Sequence, residues 1–198
     1  MTAALWIAVG FLVGSLPCSV WIGYLALGRD IRFYGDGNPG GTNVIRAGSP
    51  FWGICAILMD YLKGAIPVGL AHYFAGVTGW LLVAAALAPV LGHAYSPFLS
   101  FRGGKAVAVT FGAWTGLTLW VGPVIMGVSL GLGFAVLTIE AWVVCLSMAT
   151  LLAYLMLFSP QPVLLGAWFG NMVLLAWRHR AGLAHRPGLR SWIKQVMP

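Results

Sequence analysis

The sequence predicts an all-α integral membrane protein, a bundle of about seven transmembrane helices with five as the alternative. Composition is the first reason: the 198 residues are 60% hydrophobic and 8% charged, with a mean hydropathy of +0.90, more apolar sequence than one small core could bury. The second is segmentation, since apolar runs fall at about 3–27, 51–75, 78–99, 106–121, 123–139, 141–158 and 162–177, separated by glycine, proline or charge. The third is charge placement. Apart from Lys63, the eleven Lys/Arg lie in three segments: Arg29, Arg32 and Arg46; Arg102 and Lys105; and Arg178, Arg180, Arg186, Arg190 and Lys194. Basic residues mark cytoplasmic loops, which puts the N-terminus outside and the C-terminus in the cytoplasm. The expected organisation is one transmembrane domain over 1–198, with substrate-binding cytoplasmic loops at 29–50, 100–105 and 178–198.

The first run, 3–27, has no basic leading segment and outlasts a signal peptide, so it is expected to remain as a span. The net charge of +7 does not describe a nucleic-acid face, because the cations sit at the ends of apolar runs. Cys18, Cys55 and Cys145 lie inside apolar runs without a CxxC and read as small apolar residues; no metal site is expected.

The first loop carries Gly35, Asp36, Gly37, Asn38, Pro39, Gly40, Gly41, Thr42, Asn43 and Arg46. Glycine lets backbone N–H groups turn toward an anion, and Arg46 adds a planar guanidinium suited to phosphate. A phosphate pocket at a membrane surface is the reading.

In the second span, Asp60 and Lys63 are three apart and share a helix face, where an internal ion pair is one reading and a functional polar site the other. His72 lies near the outer end and is expected at the interface. His93 lies about 9 Å inside the cytoplasmic end of the third span. Tyr95, Ser96 and Pro97 should loosen that helix, so His93 either faces a cavity open to the cytoplasm or joins two helices.

The second loop, Arg102, Gly103, Gly104 and Lys105, opens the next span. A helix starting there offers unpaired N–H groups and a positive end, an anion site without P-loop spacing. An even number of spans must separate Lys105 from Arg178, so two or four are allowed. There is no GxSxG, and Ser15 has no evident base beside it, so direct transfer between two bound substrates suits an enzyme better than a covalent intermediate.

These motifs, in this order, resemble the bacterial membrane acyl-phosphate:glycerol-3-phosphate acyltransferases of the PlsY type, whose pattern is roughly GSxP, DIRxxGSGNxGATNVxR, DxxKG and GHxxPxFxxFxGGKGVAT. The matching residues are Gly14, Ser15 and Pro17; Asp30, Ile31, Arg32 and 35–46; Asp60, Lys63 and Gly64; and Gly92, His93, Pro97, Phe98, Phe101, Gly103, Gly104 and Lys105. The resemblance implies transfer of a fatty acyl group from acyl phosphate to the 1-hydroxyl of glycerol 3-phosphate, giving lysophosphatidic acid and phosphate at the cytoplasmic side of the cell membrane. The implied catalytic residues are His93, which would orient or deprotonate the acceptor hydroxyl, and Asn38; Asp36, standing where the family has serine, is added to them as a candidate general base. Arg46, Lys105, Asn38 and Asn43 would bind phosphates, and backbone N–H groups of Gly40, Gly41, Gly103 and Gly104 would cradle oxyanions. Ser15, Thr42, Lys63, Arg102, His179 and Arg180 complete the expected substrate-binding set. Acyl phosphate, glycerol 3-phosphate and membrane lipid are the expected partners, without nucleic acid, metal or cofactor.

The chain departs from the pattern at Asp36, where the family has serine, at Ala106, where it has glycine, and at Gly41, where it has alanine. The tail pattern HRxNIxRLxxGxE keeps His179 and Arg180, but Gly182 and His185 replace the asparagine and second arginine, and no glutamate follows. A carboxylate near phosphate must be protonated, turned away or paired with Arg46 or Lys105, unless it serves as a general base. The alternatives are a family member with a changed donor or acceptor, or without activity, and an organophosphate transporter. Uncharged outer turns weigh against transport.

Overall fold

Local backbone chemistry divides the apolar chain close to the expected positions, with one displacement. The computed structural model describes residues 2–196; Met1 and positions 197–198, the end of the expected 178–198 tail, lie outside the described residues. Among the described residues the protein is all-helical apart from one isolated antiparallel bridge, Leu137 with Leu189. The first apolar run forms α1 (Ala3–Ser15) and α2 (Cys18–Leu27), interrupted at Leu16 and at Pro17, which has no N–H to continue a helix. A short α3 (Gly41–Arg46) lies in the first loop. Then α4 (Pro50–Gly69) starts from a Ser49 N-cap that accepts the Trp52 N–H at 3.3 Å, and runs into a π-helical turn at Leu70–Phe74. The remaining elements are α5 (Gly79–Ala94), α6 (Val107–Thr118), α7 (Val121–Val136), α8 (Glu140–Phe158), α9 (Pro162–Arg178), α10 (Arg180–Leu183) and α11 (Ser191–Val196).

The displaced boundary is the turn expected at Gly122 and Pro123. The break falls between Thr118 and Val121, where Leu119 has φ +54°, and Pro123 sits in the first turn of α7. A proline there loses no intrahelical hydrogen bond, so it starts the helix rather than interrupting it. Thr118 Oγ1 accepts the Gly122 N–H at 3.0 Å and satisfies one of the open donors.

Among the described residues, four segments are long and apolar enough to cross a membrane: Ala3–Leu27, Pro50–Phe74, Gly79–Leu99 and Glu140–Phe158. Val107–Thr118 and Val121–Val136 are apolar but shorter. Large side chains left exposed, among them Leu25, Phe74 and Leu157, suit a lipid-facing surface.

Small residues bring the helices together. A Cβ on Gly112 would lie 1.9 Å from the Tyr61 carbonyl oxygen, and one on Gly64 2.2 Å from that of Val109, so α4 and α6 touch backbone to backbone. Gly92 of α5 meets Phe11 of α1 in the same way. The main core surrounds the fully buried Trp114, Met148 and Leu151. A smaller cluster of Val20, Ile31, Val44, Ala47 and Ala56 pins the first loop onto α2 and α4 and thereby sets the height of α3.

Candidate active site

The first loop is organised by Asn43. Its side chain is buried, its Nδ2 donates to Asp36 Oδ1 at 3.0 Å and to the Asn38 carbonyl at 2.9 Å, and its Oδ1 accepts from Arg46 Nη1 at 2.9 Å. Gly35 lies beneath this knot at φ +57°, where a Cβ would come within 2.3 Å of Arg46 Nη1, so no side chain fits. Upstream, Asp30 caps its own 3₁₀ turn through the Arg32 N–H and receives the Arg32 guanidinium at 2.9 and 2.7 Å. That guanidinium, with the Tyr24 hydroxyl, holds the Asp30 carboxyl well below the usual carboxylate range.

The second loop wraps around His93. Gly104 N–H donates to the His93 carbonyl at 3.0 Å, a Cβ on Gly103 would lie 2.0 Å from that oxygen, and one on Gly104 2.2 Å from His93 Nε2. Arg178, at the end of α9, donates Nε to the Gly104 carbonyl at 3.0 Å and Nη2 to the Gly103 carbonyl, and covers the Tyr95 ring. The turn is therefore held from below by α5 and from the side by α9. Ala106 follows at φ +66°, the left-handed region, which accounts for glycine in the family pattern at this position.

Both loops meet at Lys105. Its Nζ lies 2.8 Å from Asp36 Oδ2 and 2.7 Å from Glu140 Oε2. Arg46 Nη1 is 3.7 Å from Asp36 Oδ1, and His179 Nε2 is 3.8 Å from Glu140 Oε1. Partial burial acts to raise the Asp36 carboxyl, but the Lys105 hydrogen bond and charge, with the Asn38 N–H and Asn43 amide, hold it down at about 2. Burial also acts against the Lys105 ammonium, and its two carboxylates more than offset that, so its pKa is raised. Of the readings open for Asp36, pairing is the one realised.

Arg46, Lys105 and His179 are thus brought together with Asp36 and Asn43, while other expected site residues stand apart. Lys63 and Asp60 form a buried ion pair at 2.8 Å, with Lys63 also donating to the Leu16 carbonyl and Ser19 to Asp60. His93 Nδ1 faces that pair, 3.8 Å from Asp60 Oδ1. Ser15 donates its hydroxyl to the Phe11 carbonyl of its own helix. Arg180 lies over the Trp177 ring and bonds its carbonyl. Thr42 and Arg102 are exposed, Arg102 on a groove of about 680 Å³ between the two loops. The Asn38 side chain forms no hydrogen bond among the described residues, although its backbone joins the knot. Glu140 and Arg178 were missed from sequence. Arg178 reads as a membrane-flanking cation, and the one signal for Glu140 was an acidic residue between apolar runs in a chain with only four acids. Among the described residues no group of three His, Cys, Asp or Glu side chains could hold a metal ion.

An apolar helical bundle with two glycine turns, a lysine, an arginine and a histidine gathered at one polar cluster defines a multi-pass membrane protein with a site suited to an anion. The sequence profile described as Glycerol-3-phosphate acyltransferase matches residues 4–186. Glycerol-3-phosphate acyltransferase 1 of Thermotoga maritima is 37% identical over 191 residues, covering 89% of this chain and 94% of the relative. A glycerol-3-phosphate acyltransferase of Thermus thermophilus is 38% identical over 189 residues, covering 92% and 91%. The crystal structure of PlsY (YgiH), an integral membrane glycerol 3-phosphate acyltransferase, in its glycerol 3-phosphate form superposes with a TM-score of 0.84 at 26% identity, over 99% of both chains. Its lysophosphatidic acid form gives 0.83 at 28% identity, over 92% of this chain and 90% of that one. The chain belongs to the glycerol-3-phosphate acyltransferase family, as the motif resemblance implied, and is an acyltransferase enzyme of phospholipid synthesis.

Proposed function

We propose that the protein transfers a fatty acyl group from acyl phosphate to the 1-hydroxyl of glycerol 3-phosphate, at the cytoplasmic face of the cell membrane. The observation that carries this reading is the convergence of Arg46, Lys105 and His179, one from each basic segment, on a single cluster. In the reaction the acyl carbon–oxygen bond to phosphate breaks and a bond to the acceptor oxygen forms. The hydroxyl proton ends on the released phosphate. Both substrates are phosphorylated, so clamping by Arg46 and the free N–H of Lys105 contributes orientation and stabilises charge on the leaving group.

Asp36, ionised and bound to Lys105, is poorly matched to a general base near neutral pH and in this reading organises the cations. His93 supports the Gly103/Gly104 turn, which it contacts. Asn38, with an unengaged side chain, is the residue of the knot free to reach a ligand.

The same convergence supports an odd number of spans with the N-terminus outside, because all three basic segments then share one side and positive charge marks the cytoplasm; Glu140, two helices after Lys105 and two before Arg178, lies in the same cluster and favours seven over five. Purified protein in detergent or lipid, given acyl phosphate and glycerol 3-phosphate, should form lysophosphatidic acid and release phosphate. Turnover no greater than in a protein-free control would reject the proposal.

A further inference from the structure

Glu140 opens α8 and lies outside every motif of the sequence, yet it sits at the centre of the site. Its Oε2 is 2.7 Å from Lys105 Nζ and its Oε1 3.8 Å from His179 Nε2, while Asp36 reaches the same ammonium at 2.8 Å. An ammonium has three N–H donors, so two carboxylates leave one for a ligand. Asp36 and Glu140 together cancel the formal charge of Arg46 and Lys105. His179 is buried, its Nδ1 is engaged with the Leu175 carbonyl at 2.8 Å, and its Nε2 has no hydrogen-bond partner. An anion entering here meets one open N–H on Lys105 beside the Glu140 carboxylate, whereas His179 Nε2, with Nδ1–H spent on the Leu175 carbonyl, donates to it only as the imidazolium.

We propose that Glu140 sets how tightly the phosphate site holds its ligand, an internal anion that competes with phosphate for Lys105 and weakens the hold on substrate and product phosphate alike. The inference rests on the acyltransferase reading for its meaning. Like charges separated by a shared cation still repel, and Glu140, at 42% side-chain exposure, acts through partly screened solvent, so the effect is severalfold rather than absolute. Weak retention has a use in a reaction that leaves inorganic phosphate in the cradle every cycle.

The test is calorimetric titration of inorganic phosphate into the full chain in detergent. Glu140→Gln keeps an oxygen acceptor for Lys105 but removes the charge, and should bind phosphate about threefold or more tighter than wild type. Glu140→Asp, which keeps the charge, should stay close to wild type. In the acyl-transfer assay the Gln variant should lower KM for glycerol 3-phosphate and the inhibition constant of phosphate together, without raising kcat. Equal or weaker phosphate binding by a folded Gln variant overturns the proposal, as does failure of wild type to bind phosphate at all. If Glu140→Gln does not fold, Glu140→Ser must show the same tightening; if neither folds, Glu140 is structural and the proposal falls. Phosphate binding with the expected shift but no acyl transfer would reject the acyltransferase reading and leave this one standing, because the heat of binding does not depend on turnover.

Discussion

The Asp36 carboxylate lies 2.8 Å from the Lys105 ammonium and joins two glycine turns that the chain separates by all of α4 and α5. This pair explains how a carboxylate can stand where the family pattern has serine. Its charge is spent on a cation of the neighbouring loop. Asp36→Ser should therefore keep acyl transfer within about tenfold of wild type, measured as lysophosphatidic acid formed. A loss of about 10²–10⁴ would instead identify a general base.

The same pair has a pH signature. The Asp36 carboxyl is depressed to about 2 in the folded protein, against about 3.9 for an unfolded chain, so its stabilisation is present above about pH 4 and disappears as pH falls through about 2. The side chain is 41% exposed, and screening holds the contribution to about 1 kcal/mol or less. Asp36→Asn should be slightly less stable than wild type at pH 7, with the gap closing between pH 4 and 2 in thermal unfolding. A constant gap would show that the charge is not what stabilises.

Arg46 and Lys105 should prove indispensable for different reasons. Arg46→Ala removes a half-exposed guanidinium and should cost on the order of 100-fold in kcat/KM, as expected for charge-assisted bonds to phosphate, with a modest fall in Tm because the buried Asn43 Oδ1 loses its donor. Lys105→Ala also leaves Asp36 and Glu140 facing each other without their shared cation, so both turnover and thermal stability should fall. Retention of near-normal rates by both variants would remove the phosphate clamp.

The Gly103/Gly104 turn tolerates no side chain. Gly103→Ala would drive a methyl into the His93 carbonyl, a backbone atom of a packed helix, and should destabilise by about 1–3 kcal/mol and displace Lys105. Gly104→Ala meets the His93 ring instead, which can shift slightly, and should be the milder change. Thermal shift and activity measured side by side would rank the two.

Lys63 separates a structural role from a substrate role. Lys63→Met leaves Asp60 buried without its cation and should cost about 3–5 kcal/mol, whereas Lys63→Met combined with Asp60→Asn should recover much of that. KM for glycerol 3-phosphate should stay near wild type in any variant that folds. A selective rise in KM would place Lys63 in the substrate site.

Much of the fold was legible because helices in lipid are written locally. Apolar length, glycine or proline at the ends, and basic flanks need no partner to be recognised, and the apolar runs became helices close to their expected bounds. The displaced turn at 119–120 shows where local reading ends: Gly122 and Pro123 suit the start of a helix as well as a break, and the chain uses them at the start, with Thr118 Oγ1 accepting the Gly122 N–H. The ion pair of Asp60 and Lys63 was also legible, because three residues on one helix fix their distance.

What the chain determined by itself was membrane residence, the family motifs, the two glycine turns and the presence of Arg46, Lys105 and His179. Only the tertiary structure decided who meets whom. Glu140 and Arg178 enter the site from α8 and α9, far along the sequence from the loops they touch, and no spacing rule connects them to Lys105 or to Gly103. Asp36 likewise became a partner of Lys105 rather than an isolated charge because α3, Asn43 and the small cluster around Ile31 hold its loop against the second turn. Helix formation depends on neighbours in sequence, but the charge balance of a site depends on neighbours in space.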